Sequence, residues 1–390
     1  MSASANPDIV DDGLVFLYDT DDGKSYKGEP TTNVIAGTNL INTVAGTYTT
    51  NTTVDGVRIL ENNQVNNSHV MWNGATGFIV TCSAGAYVTV SAEYKTNCTI
   101  RMRFRDNPYD SQYDIDGGNI ATISEQNVDI DTNGEWKRYS LTAQTSTANP
   151  DLWWYIADYR NNNEFGRVEI RNWQVEVKSH ATQFVNGTRS ATQGLIDRTG
   201  NETITLSNVS FDSNAQMTFD GTDDQLIVYN VGIDNYSEAF SYECVFKAEG
   251  TWANDRISNI VGILGSYAGH YGLGKSGTNT INFVVRDANY NSISSTVSDT
   301  STYHHLVGVW DQSNSQIRLY IDGELKSSAT VTKTGTPDSN DLRIGGRAAF
   351  GGSNGSYYHG DIPIVKYYKT ALTTAEVLQN YNATKSRFNL

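Results

Sequence analysis

The clearest periodicity lies in the C-terminal half of the chain. In AFSYECVFK, residues 239–247, Phe240, Tyr242, Cys244 and Phe246 share one face, and Ser241, Glu243 and Lys247 fall on the other. A period of two predicts a half-buried strand with its polar side in water. YHHLVGVW, residues 303–310, predicts another strand. QIRLYIDGELKSSATV predicts a hairpin, with Ile317, Leu319 and Ile321 on one face and Asp322-Gly323 as its tight turn. INFVVRD, DLRIGG and IPIVKYY add short strands between loops rich in Gly, Ser and Asn. A second, separate set of alternating segments occupies the middle of the chain: GAYVTVSAEYK, CTIRMRFRD, GEWKRYSLTAQ, DLWWYIADY and GRVEIRNWQVEV. Far upstream stands GLVFLYDT, residues 13–20, an apolar strand followed at once by the turn-rich DDGKSYKGEPTTN. One helix is signalled, in ALTTAEVLQNYNA. Thr373 is its N-cap, Glu376 completes a capping box, and Leu372 and Val377 form a hydrophobic staple. Leu378 and Tyr381 are expected to face the sheets.

Composition sharpens this into a fold class. Helix formers are sparse, while Thr, Val, Ile, Tyr and 34 glycines favour strands and turns. The expected fold is all-β: two β-sandwiches and one short C-terminal helix. A length of 390 residues favours two domains over one. A net charge of -15 argues against a nucleic-acid partner. No apolar run reaches the 18 residues needed to predict a membrane span. The opening MSASANPDIVDDG has neither a basic nor an apolar stretch of the kind a secretory signal carries. Cys82, Cys98 and Cys244 are too scattered for a disulfide framework. Cys244 reads as core, and Cys82 and Cys98 as buried thiols, with a Cys82–Cys98 bond as the alternative.

Several blocks, in this order and spacing, resemble the laminin-G-like, concanavalin-A-like sandwich of tailed-phage virion proteins. They are MTFDGTDD (Met217–Asp224), the strand from Phe240 to Phe246, HHLVGVW (His304–Trp310), LYIDG (Leu319–Gly323), LRIGG (Leu342–Gly346) and ALTTAEVLQNYNATKSRF (Ala371–Phe388). In such domains a strand like GLVFLYDT leads directly to a stretch like Ile196–Gly200, which here lies far downstream. TNLI (Thr38–Ile41), NGEWKRYSLT (Asn133–Thr142) and IRNWQVEVKSHATQFVNGTRS (Ile170–Ser190) resemble jelly-roll carbohydrate-binding modules. The resemblance therefore implies residues 1–12 as an arm, 13–34 plus 186–390 as the lectin-like sandwich, and 35–185 as an inserted jelly roll. The alternative is an arm followed by two consecutive domains.

Candidate chemistry is thin. Glucanases on this fold place three carboxylates on one strand face, and no Glu-x-Asp-x-x-Glu run occurs. Glu164, Glu169 and Glu176 are at the wrong spacing. His304 and His305 are strand neighbours, so they face opposite sides and cannot share an ion. The chain is therefore expected not to be an enzyme and to need no certain cofactor. Structural calcium is the one ion considered, because it takes hard oxygen ligands: Asp220 and Asp223 (with Asp224) in one turn, and Glu176 on the last strand of the middle module. With 23 tyrosines and 7 tryptophans, aromatic faces for sugar stacking are plentiful. The carbohydrate-binding candidates are Trp154, Tyr109 and Tyr113 in the middle module and Tyr357 and Tyr358 in the lectin-like one.

The resemblance implies a structural surface appendage or decoration component of a phage head, neck or tail, expected to be made in the host cytoplasm and located on the virion. Its expected partners are other virion proteins and host-surface glycans, not nucleic acid or membrane, and it is expected to be a homo-oligomer, a trimer being favoured. The alternatives are a glycan-binding adhesin at a fibre tip, or a secreted lectin-like protein.

Overall fold

The computed structural model describes residues 8–35, 43–45, 48–62, 69–71, 78–106, 126–145, 148–158, 166–214, 216–231, 238–249, 258–264, 270–276, 279–286, 290–297, 299–331, 341–347 and 356–390. The fold is all-β with one α-helix, α1, Thr374–Phe388. The chain divides into two compact units: Met1–Glu29 with Ser190–Asp212 and Gln216–Leu390, and Pro30–Arg189 with Ser213–Ala215.

The first unit is a sandwich of two antiparallel sheets. One runs Ser210–Phe211, Met217–Asp220, His359–Tyr368, Phe240–Ala248, His304–Asp311, Gln316–Ile321, Glu324–Thr330, with Leu14–Asp19 also paired to His359–Tyr368. Phe16 lies opposite Tyr367 and Tyr18 opposite Val365. The other sheet runs Ile204–Ser207, Gln225–Val228, Leu342–Ile344, Ser258–Leu264, His270–Ser276, Thr280–Arg286, Tyr290–Thr296. Between them Phe16, Tyr18, Phe240, Tyr242, Cys244 and Phe246 pack with Ile263, Leu273 and Phe283 in one core. Packing is tight enough that a Cβ at Gly308 would overlap the Phe283 ring of the facing sheet.

The strand Phe240–Ala248 departs from the half-buried expectation: Ser241 and Glu243 are buried as completely as Tyr242 and Cys244. The reason is a second apolar layer. Val307, Val309, Tyr320 and Tyr368 on the outer face of the sheet are covered by Leu372, Val377 and Val10. The polar groups trapped there satisfy one another. Lys366 Nζ donates to Glu243 Oε1 at 2.6 Å, and His305 Nε2 lies 3.0 Å from the same oxygen. Asn380 Nδ2 donates to Glu243 Oε2 at 2.6 Å, and Asn380 Oδ1 accepts from the Val10 amide at 2.8 Å. Helix α1 starts as its sequence predicts, with the Thr373 side chain accepting from the Glu376 amide, Glu376 bonding back, and Leu372 and Val377 in one cluster. Its inward face differs from expectation: Val377, Asn380, Thr384 and Phe388 are buried, while Leu378 is 46% exposed.

The second unit is also a two-sheet antiparallel sandwich. One sheet runs Gln126–Ile130, Ile100–Asp106, Asp151–Asp158, His69–Met71, Thr43–Ala45; the other runs Lys137–Gln144, Tyr87–Thr96, Gly166–Glu176, Val57–Asn62, Tyr48–Val54. Its core is its own, built on Leu60, Val90, Tyr94, Met102, Trp154 and Ile170. Where the chain enters and leaves this unit, Thr31–Thr32 pairs with Thr188–Arg189. All three cysteines are free thiols; Cys98 and Cys244 are buried, and Cys82 is only partly so.

Candidate functional site

Each expected site residue has a definite place. Trp154 is fully buried in the core of the second unit, so its face is closed to a sugar. Tyr358 is fully buried as well, edge-on to Phe219 at 6.0 Å between ring centres. Both are corrections to the stacking role: Trp154 fills its core from a strand, and Tyr358, between the strands Ser356–Tyr357 and His359–Tyr368, fills the core of the first sandwich. Tyr357, beside Tyr358, is half-exposed and pairs with Gly346. Tyr109 and Tyr113 lie outside the described residues.

Glu176 is not free for an ion. Its Oε2 accepts from the Thr31 and Thr182 hydroxyls at 2.8 Å each, and its Oε1 from the Thr182 amide at 2.9 Å. It ties the last strand to the paired ends of its unit. Asp220, Asp223 and Asp224 do converge, each offering an oxygen within 4.8 Å of the others. Asp224 Oδ2 accepts from the Asp220 amide at 2.7 Å, whereas its Oδ1 is buried with no hydrogen-bond partner. Burial, followed by the charge of Asp220, holds the Asp224 carboxyl above its usual range against its hydrogen bonds. Oxygen donors of this kind are the type calcium takes. His304 and His305 do face opposite ways: His304 Nδ1 lies 2.8 Å from Asp322 Oδ2, and His305 meets the buried Glu243.

A concave site among the described residues of the first unit lies elsewhere. A cleft of about 600 Å³ opens where six separated segments meet: Thr20–Asp21 past the first strand, Asp212 with Gln216–Thr218, Lys247 with Glu249, Tyr303, Asp361–Pro363, and Arg387–Phe388 at the end of α1. That volume is within the range of small-ligand sites. Tyr303 stands half-exposed at its wall, its hydroxyl donating to Asp361 Oδ2 at 3.1 Å and its ring 5.1 Å from that of Phe388. Burial and the Asp361 carboxylate push the Tyr303 hydroxyl up to about 12, so it remains a donor at neutral pH. Lys247 and Asp361 are cross-strand partners, and Lys247 Nζ bonds Asp361 at 3.1 Å and Glu249 at 3.2 Å. Burial works against the Lys247 charge, but these two carboxylates outweigh it and raise its pKa. Arg387 grips Asp19 with two bonds of 2.6 and 2.8 Å and Asp21 with one of 3.0 Å, and the Asp19 bonds chiefly raise its pKa.

The chemistry available is therefore recognition: an aromatic ring beside a fixed hydroxyl, four carboxylates, two bridged cations and the Gln216 and Thr218 side chains. Sequence reading missed Tyr303 as a site residue because nothing local marks it. It sits one position before a strand, and only the fold brings its partners together.

No curated protein matches this sequence. Among solved structures the chain is similar to the receptor-binding domain of botulinum neurotoxin D, at 15% identity and a TM-score of 0.40 over 50% of this chain and 51% of that one. It is also similar to the binding domain of botulinum neurotoxin DC in complex with rat synaptotagmin II, at 14% identity and a TM-score of 0.40 over 50% of each chain. The chain thus spans about half the length of these toxin domains. A family model described as concanavalin A-like lectin/glucanases superfamily matches residues 219–378, the segment that holds most of the first sandwich. Residues 219–378 thus form a concanavalin A-like, laminin G-like domain.

Proposed function

We propose that this chain is a non-enzymatic surface protein of a tailed-phage particle whose lectin-like unit binds a saccharide in the cleft beside Tyr303. The cleft carries the reading: a half-exposed ring with its hydroxyl fixed on Asp361, ringed by carboxylate, amide and hydroxyl groups, is the arrangement that stacks a pyranose and reads its hydroxyls. Catalysis fits it poorly. Asp361 and Glu249 share the one Lys247 ammonium, whereas glycoside hydrolysis needs one carboxyl kept as an acid and a second free to attack or to activate water. The resemblance of its sequence blocks to those of phage virion proteins supports a place on the particle, where other virion proteins would be its neighbours and host-surface glycans its ligands.

One stacked sugar contributes on the order of 1 kcal/mol, so a single site binds at roughly millimolar level. Several copies, as in a homo-oligomer on one particle, multiply that by avidity. A glycan array probed with the protein displayed at high valency is expected to give host-surface glycan signals that Tyr303→Ala lowers about tenfold. Silence across the array, with folded protein, would return the chain to a purely structural virion role.

A further inference from the structure

Resting on the saccharide reading above, we infer that the Tyr303 cleft selects a sugar unit bearing a protonated amine and discriminates against acidic sugars. The charges of the cleft are already paired in a lopsided way. Four carboxylates, Asp19, Asp21, Glu249 and Asp361, share two cations, Lys247 and Arg387, an excess of two negative charges (4 − 2) within this cluster. Neither cation is available. Lys247 is bonded to both Glu249 and Asp361, and Arg387 is held by Asp19 and Asp21. A uronate or sialate carboxylate would have to break an existing ion pair to gain a partner. It would also enter a field set by the surplus acids and by a chain of net charge -15.

For an amine the balance reverses. Asp361 Oδ2 accepts from Lys247 and from the Tyr303 hydroxyl, and Asp361 Oδ1 accepts no hydrogen bond among the described residues. Because the Tyr303 hydroxyl and the Asp361 carboxylate are 3.1 Å apart, a pyranose laid against the ring brings its substituents close to that carboxylate. An ammonium there completes the acceptor with a charge-assisted bond, while the Tyr303 ring already carries the Lys247 ammonium 5.6 Å from its centre. Lys247 is the group that opposes a second cation, and its charge is offset by the two carboxylates it bridges. The match is to 2-amino-2-deoxyhexose units with a free amine. The N-acetylated form of the same sugar keeps the stacking surface but has no charge to offer.

The test uses the full chain and three oligosaccharides of equal length: a free-amine glucosamine oligomer, its N-acetylated counterpart, and a polyuronate. The expected order of affinity is amine, then N-acetyl, then uronate. The amine is expected to bind about threefold to fivefold tighter than the N-acetyl form at low salt, a margin typical of one partly exposed ion pair, and the margin should vanish near 0.5 M salt. Asp361→Asn, which keeps an acceptor for Tyr303, and the rim variant Glu249→Gln should each bring the amine and N-acetyl forms toward equal affinity. Glu324→Gln, on an exposed strand outside the cleft, should preserve the order. Equal binding of amine and N-acetyl forms at low salt, or tighter binding of the uronate, overturns this inference and leaves the saccharide reading standing. Binding of none of the three overturns both.

Discussion

Glu243 carries its charge in a place without water. Burial alone would raise its pKa, but the Lys366 ammonium and the His305 hydrogen bond outweigh burial and lower it from 4.5 to about 2. A carboxylate whose folded pKa is depressed adds stability that is complete above its unfolded pKa and is lost as pH falls through the folded one. Urea unfolding measured from pH 7 down to pH 2 should therefore show stability falling between about pH 4.5 and 2, with this group alone accounting for on the order of 3 kcal/mol. A flat profile across that window would contradict the assignment. The alternating pattern placed Glu243 opposite Tyr242 and Cys244 correctly. It could not tell that a helix from the far end of the chain would cover the polar face. The same limit applies to Trp154: alternation assigns it to one face of its strand, but periodicity does not say whether that face is turned inward. Tyr303 was illegible for a different reason, since its cleft partners come from six segments spread between residues 20 and 388.

At the scale of elements, the helix shows how far local chemistry reaches. Its start was legible because a capping box is a contact between residues three apart, and Thr373 and Glu376 make it. Thr373→Ala should cost about 1 kcal/mol in a urea titration, and Thr373→Ser should cost little, because the serine hydroxyl can accept the same bond. An alanine variant as stable as the parent would show that packing of Val377 and Phe388, not the cap, holds the helix. The inward face was read wrongly at Leu378, and the reason is polar. Asn380 takes the buried position because Glu243, the Tyr368 hydroxyl and the Val10 amide all need its side chain. That demand turns Leu378 outward, and a hydrophobic pattern cannot register it. The strands were easier, since their alternation and the Asp322-Gly323 turn are local, and both residues of that turn have the positive φ it requires.

At the scale of the molecule, two cores that share no residue imply two folding units. The all-β class was legible from composition and alternation because both sandwiches obey the same period. Residues 30–189, expressed alone, should give a strand-rich circular-dichroism spectrum and a cooperative melt, since their sheets and core are complete within that span. A non-cooperative melt would show that the unit depends on the rest of the chain. The pairing of Leu14–Asp19 with His359–Tyr368 carries a further consequence, for synthesis on the ribosome. The Tyr18 hydroxyl waits for the carbonyl of Ile362, 344 residues later. At about 5–20 residues per second, that delay is roughly 20 to 70 s. Throughout it the apolar strand around Phe16 has no sheet to join, while residues 30–189 can finish folding behind it. The lectin-like unit closes only when the last strand emerges, so a chain released early leaves a sticky, unpaired strand rather than a smaller working protein.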